Sequence, residues 1–89
     1  MPNIELHGFS SMDADIKKAA IFNMFAKEAC VKDMVVTTFA NEVVDLNGAP
    51  QPFIRVTSTP NQHIDKIVKK LRSLGIDIEV LILKAFHPK

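Results

Sequence analysis

The chain has no tryptophan and no tyrosine, which removes most of the aromatic platforms on which single-strand nucleic-acid binders stack bases. Charge of either sign is not in excess: eleven basic residues face ten acidic ones, and a net of +1 predicts no strong pull toward nucleic acid or an anionic membrane. A single cysteine, Cys30, excludes an internal disulfide and suits a reducing cytoplasm. Long hydrophobic runs are missing; the longest, Val80-Leu81-Ile82-Leu83, is far too short to span a bilayer. The first residues lack the basic-then-apolar order of a secretory signal. There is no glycine-rich phosphate loop and no Gly-x-Ser-x-Gly elbow. His7, His63, His87 and Cys30 show no metal-ligand spacing, so no metal and no cofactor are expected.

What is present is a short globular pattern. Of 89 residues 47% are apolar, and every charge block is short, which predicts one domain with a core that is marginal alone. The six phenylalanines fall at core-like positions. The chain also repeats its own outline. Pro2-Asn3-Ile4-Glu5-Leu6-His7 and Pro52-Phe53-Ile54-Arg55-Val56-Thr57 each give a proline, a spacer, Ile, a charge, then Leu or Val. That is a half-buried strand alternating at period two. Ile4 and Leu6 are expected to point toward helices, with Glu5 and His7 on the other side.

Each copy is followed by a helix signal and a second apolar strand. Ser10-Ser11-Met12-Asp13 supplies an N-cap and a first-turn acid, and the helix it opens is expected to run to about Cys30. Asp13 and Lys17 have i,i+4 spacing. Met12, Ile16, Ala19, Ala26 and Cys30 form one apolar stripe, which Ile21, Phe22, Phe25 and Ala29 widen beyond the usual arc. A helix so broadly apolar needs a second cover, either another subunit or the loop at 41–52. Residues 34–40 then read as a strand covered on both faces near its start.

In that loop, Asn47-Gly48 predicts a type I′ turn, and Pro50 and Pro52 confine any hairpin to an edge. Residues 53–58 are the third strand. Thr59-Pro60-Asn61-Gln62 reads as a capping box with proline at the first helical position. Ile64, Ile67, Val68, Leu71 and Leu74 follow at helical spacing, opposite Asp65, Lys66, Lys69, Lys70 and Arg72, with Gly75 as the C-terminal left-handed residue. The basic side reads as a solvated face. Residues 76–84 are the last strand, with Ile76, Ile78, Val80 and Ile82 on one side.

The predicted fold class is α+β: two β-α-β halves, about 2–40 and 52–84, join in a four-stranded mixed sheet with both helices on one face. Two architectures fit, a ferredoxin-like split sheet and one in which each half stays intact. In both, the first and third strands are antiparallel neighbours, which sets Glu5 near Arg55.

The internal echo, the long 41–52 connection and the proline after the initiator methionine favour intact halves. With Met1-Pro2-Asn3-Ile4, Thr37-Thr38-Phe39 and Pro52-Phe53-Ile54-Arg55-Val56 in place, the chain resembles the tautomerase superfamily over nearly its whole length. Within it, the chain most nearly resembles a family of short uncharacterised bacterial proteins. The resemblance implies a cytoplasmic homotrimer with helices outside, sites between subunits, and Glu5, His7, Arg55 and Thr57 facing a central polar channel. It implies that Pro2, once Met1 is removed, is the catalytic base in keto–enol tautomerisation of a small 2-oxo acid. With Met1 attached, the Pro2 nitrogen is an amide and not a base. Lys32 would hold the substrate carboxylate and disfavour protonation of the amine, or simply be a solvated lysine after the helix. Arg55 resembles the carboxylate-binding arginines of some tautomerases, although its strand parity fits a pair with Glu5 better.

The chain departs from the family by lacking a pocket tyrosine and by ending soon after the last strand, at Phe86-His87-Pro88-Lys89. Cys30 reads as a small buried hydrophobe. The alternatives to an enzyme are a non-catalytic oligomeric ligand-binding or assembly module of the same fold, and a ferredoxin-like regulatory domain.

Overall fold

Alternation along the two proline-led segments sets the middle of the sheet. In β1 (Asn3–His7) and β3 (Phe53–Ser58), Ile4, Leu6, Ile54 and Val56 turn to one face and are fully buried there. The computed structural model describes residues 2–28 and 34–83. Beyond the two central strands it contains α1 (Ser11–Phe25), β2 (Val35–Phe39), α2 (Ile64–Arg72) and β4 (Asp77–Ile82). Strand order is β2-β1-β3-β4. The β1–β2 and β3–β4 pairs are parallel and the central β1–β3 pair is antiparallel. A ferredoxin-like split sheet would put β2 beside β3; here β2 pairs with β1, so each β-α-β half is intact and that alternative is excluded.

Both helices cover the same face. Ile21 and Phe25 of α1 and Ile64, Ile67, Val68 and Leu71 of α2 close on Ile4, Leu6, Ile54 and Val56. Each such side chain contributes about 1.5–3 kcal/mol by leaving water. No described helix is long and apolar enough to cross a membrane.

α1 begins as its sequence predicts, with the Ser10 hydroxyl accepting from the Asp13 N–H at 3.2 Å. It ends at Phe25 rather than near Cys30, which lies outside the described residues. The bonds Ala26 N–H to Asn23 O and Glu28 N–H to Phe25 O have the tighter three-residue spacing that unwinds a helix end. Among the described residues Asp13 does not pair with Lys17; the ion pair on this helix is Lys18–Asp15, at 3.7 Å. The broad apolar stripe splits in two. Ala14, Ile21 and Phe25 face the sheet, whereas Met12, Ile16 and Phe22 are exposed by 74%, 55% and 53%. The 41–52 loop does not cover them, so that alternative fails.

In the loop, Val44 and Pro50 form a single antiparallel bridge. The turn within it is not type I′. Asn47 keeps a negative φ, Gly48 alone is left-handed at +83°, and Gly48 N–H reaches Asp45 O at 3.0 Å. The Asp45 carboxylate accepts from Asn47 N–H and Ala49 N–H at 2.8 and 3.0 Å, which fixes a type I turn with a glycine bulge.

α2 starts at Ile64, later than the predicted capping box. Asn61 does the capping: its side chain accepts from His63 N–H at 2.7 Å, and its carbonyl from Ile64 N–H at 3.3 Å. Gly75 is left-handed at φ +72°, as expected. β4 departs from its predicted pattern in its second half. Ile76 and Ile78 pack on the core, but Val80 and Ile82 are as open as Leu81. β4 is an edge strand, and none of the described residues covers its outer half.

Candidate functional site

The face of the sheet away from the helices is polar, and β1 is its axis. In-register pairing puts Glu5 between Thr37 and Arg55, and His7 between Phe39 and Phe53. The His7 ring is clasped by the two phenylalanines, with centroids 4.3 and 4.7 Å away and planes tilted by 9° and 2°. It is only 7% exposed. Its Nδ1 is 3.1 Å from Asn41 Nδ2, while Asn41 Oδ1 accepts from Gly8 N–H at 2.7 Å. Since that contact orients the amide, Nδ2 must donate and Nδ1 must accept. The ring proton is therefore on Nε2, which donates to Glu5 Oε1 at 2.7 Å.

Glu5 takes a second hydrogen bond from Thr57 Oγ1 at 2.6 Å, and Arg55 Nη1 stands 3.8 Å from its Oε1. Burial pulls the Glu5 carboxyl up, but the Thr57 and His7 hydrogen bonds and the nearby Arg55 guanidinium outweigh it. The carboxyl lies below its ordinary range. Arg55 makes its shorter contact elsewhere. Its Nε donates to Glu79 Oε1 at 3.1 Å, and its guanidinium lies 5.3 Å over the Phe53 ring. Among the described residues no buried side-chain nitrogen or oxygen lacks a partner. This cluster is closed on itself: it can hold the four strands in register, but neither His7 nitrogen is free to take a substrate proton.

Pro2 sits at the head of β1, buried, with its carbonyl accepting from Val35 N–H of β2 at 3.0 Å. A proline fits there because the first strand position needs no N–H donor. Lys32 and Met1 lie outside the described residues, so of the two predicted site residues only Pro2 has a described position. A groove of about 590 Å³ runs between α2 and β4, lined by Ile64, Asp65, Val68, Lys69, Arg72 and Val80. A smaller pocket, about 90 Å³, lies between α1 and β2 at Phe9, Ala14 and Phe39. Pro2 lines neither.

Sequence reasoning anticipated that Glu5, His7, Arg55 and Thr57 share a face, and the Glu5–Arg55 opposition. It missed Asn41, Glu79 and the stacking role of Phe39 and Phe53, which had been assigned to the core. A signal for Glu79 existed: the second half is parallel, so a charge two residues into β4 faces Arg55. For Asn41 there was none, because its partners lie 33 and 34 residues away, beyond α1 and β2. The basic face of α2 is also less solvated than expected. Lys66 and Lys70 both bind Glu28, and they hold its carboxyl down to about 2.

No family model matches the chain, and no curated protein matches it. Among solved structures, a protein of unknown function from Vibrio cholerae superposes with a TM-score of 0.65 at 13% identity, covering 99% of this chain and 84% of the other. A domain of unknown function (DUF1904) from Sebaldella termitidis gives 0.50 at 13% identity, covering 99% and 90%. Macrophage migration inhibitory factor from Toxoplasma gondii gives 0.41 at 15% identity, covering 94% and 88%, a similarity too low to bear on fold or function. At such identities the first two likenesses concern the fold alone.

Proposed function

We propose that this protein is a tautomerase-superfamily isomerase, active as a cytoplasmic homotrimer, in which Pro2 serves as general base after removal of Met1. The observation that carries the reading is the strand order: two intact β-α-β halves meet back to back, and the proline stands at the head of a central strand. An unblocked prolyl amine takes a proton from the carbon beside the carbonyl of a small 2-oxo acid, and the carbonyl oxygen is protonated as the enol forms. An ordinary α-amino group has a pKa of about 7.7–8.0, and a ring secondary amine is more basic still, so it must be shifted down to act near neutrality. Burial at the head of β1 disfavours its charged form, which favours the free base near neutrality. Lys32 is assigned the substrate carboxylate; Val35, three residues further along, bonds the Pro2 carbonyl. Trimer formation is supported by two apolar sheet edges, Val35 and Phe39 on β2 and Val80, Leu81 and Ile82 on β4, all exposed in the protomer.

A second reading, a non-catalytic oligomeric module, is favoured by one observation: Pro2 lines neither of the two cavities described above. Two measurements decide. Intact mass of the cellular protein must show loss of Met1. Enolisation of an aryl-pyruvate must fall about 10²–10⁴-fold in Pro2→Ala. Retained Met1, or equal rates, leaves the non-catalytic module.

A further inference from the structure

Asn41, just past β2, uses both ends of its amide at once. Nδ2 donates to His7 Nδ1 at 3.1 Å, and Oδ1 accepts from Gly8 N–H at 2.7 Å. Gly8 sits so close to Val43 and Pro52 that an added Cβ would fall 3.0 and 3.2 Å from them. Those two residues flank the Val44–Pro50 bridge. Asn41 therefore ties the end of β1 to the 41–52 segment at the point where that segment packs on it.

A charged histidine is incompatible with this tie. With a proton on each nitrogen the ring has only donors. Nδ1–H would then point at Asn41 Nδ2, donor against donor. Turning the amide over offers the ring its oxygen but aims Nδ2 at Gly8 N–H, which is again two donors. Swinging Asn41 out into water takes the oxygen from Gly8 as well. Every route costs the Gly8 bond. We propose that His7 and Asn41 form a proton-sensitive latch: a proton gained at His7 Nδ1 frees Gly8 from Asn41 and loosens the 41–52 segment, and its loss closes the latch again.

The other neighbours can host a charged ring. Glu5 of β1 accepts at Nε2, and Phe39 and Phe53 present the negative faces of their rings. Arg55 of β3 stands 3.8 Å beyond the Glu5 oxygen and is itself bound to Glu79 of β4. In the 41–52 segment, the Asp45 carboxylate is taken up by its own turn, and Glu42 is exposed. Only the Asn41 amide opposes the second proton. The latch uses neither Pro2 nor Lys32 and stands whether or not the proposed isomerase does.

NMR of the full chain from about pH 8 to about pH 4 follows both partners: ring carbon shifts report the charge on His7, and hydrogen exchange reports Gly8 N–H. The Gly8 protection factor should fall about tenfold or more with the same midpoint as the ring, while amides within the central β1–β3 pair stay protected. Asn41→Asp puts two acceptors where there was one, so its carboxylate can hold Nδ1–H and Gly8 N–H together. In that variant the charged ring should keep Gly8 protected, and the ring's midpoint should rise by about one pH unit. Gly8 protection that is unchanged as the ring gains its proton overturns the proposal. So does a ring that stays neutral until the whole fold is lost, or an Asn41→Asp chain that loses protection as the native one does.

Discussion

Glu5 and Arg55 stand directly opposite in the antiparallel β1–β3 pair, yet Arg55 reaches Glu5 only at 3.8 Å and gives its 3.1 Å contact to Glu79. The buried carboxylate is held instead by Thr57 and His7. Thr57→Val should therefore destabilise the fold by about 1.5–3 kcal/mol, since it removes a hydrogen bond to a charged, buried group. Glu79→Gln breaks an exposed pair and should cost under about 1 kcal/mol. Urea denaturation of both variants checks the ranking; an equal or larger loss for Glu79→Gln would contradict it.

The Asn41 amide and the Glu5 carboxylate together set the tautomer of His7. Nitrogen-resolved NMR of the neutral ring should find the proton on Nε2 and Nδ1 bare. Asn41→Ala removes the donor to Nδ1, but the Glu5 carboxylate still requires the proton on Nε2, so the tautomer should persist, with a stability loss of about 1 kcal/mol or more because the Gly8 N–H also loses its acceptor.

Gly8 and Gly75 both have positive φ, +80° and +72°, but only one is crowded. A Cβ at Gly8 would lie 3.0 Å from Val43 Cβ and 3.2 Å from Pro52 Cα, while no atom of the described residues comes within 4 Å of one at Gly75. Gly75→Ala should cost about 1–2 kcal/mol from backbone strain alone. Gly8→Ala should cost distinctly more, measured as the difference in denaturant midpoint at constant slope.

Glu28 joins the end of α1 to Lys66 and Lys70 of α2. Its folded-state pKa is depressed from 4.5 to about 2. A depressed carboxyl stabilises the fold fully above its unfolded value and loses that contribution as pH falls through the folded one. The stability difference between the native chain and Glu28→Gln should thus be constant above about pH 5.5, shrink from there toward pH 2, and disappear below it. A difference unchanged down to pH 2 would rule out the lysine clamp.

Periodicity carried the strands and α2 because it is local. Residues 53–58 were delimited correctly, and Ile4 and Leu6 were assigned to the helix side, from alternation alone. α1 was less legible. Its apolar residues wrap so much of the surface that the pattern has no preferred side, and only docking on the sheet chose Ala14, Ile21 and Phe25. The start of α2 moved to Ile64 because Asn61, rather than Thr59, found the open backbone donor.

By itself, then, the order of residues determined the two echoing halves, the mixed four-stranded sheet, and the placing of Glu5 across from Arg55. Short-range spacing is enough for each of these. Tertiary structure alone decided what surrounds the polar face: Asn41 on His7, two phenylalanines around its ring, and Glu79 rather than Glu5 as the nearer partner of Arg55. Those contacts join residues 24 to 46 apart in the chain, brought together only when the strands pair, and no local pattern encodes them.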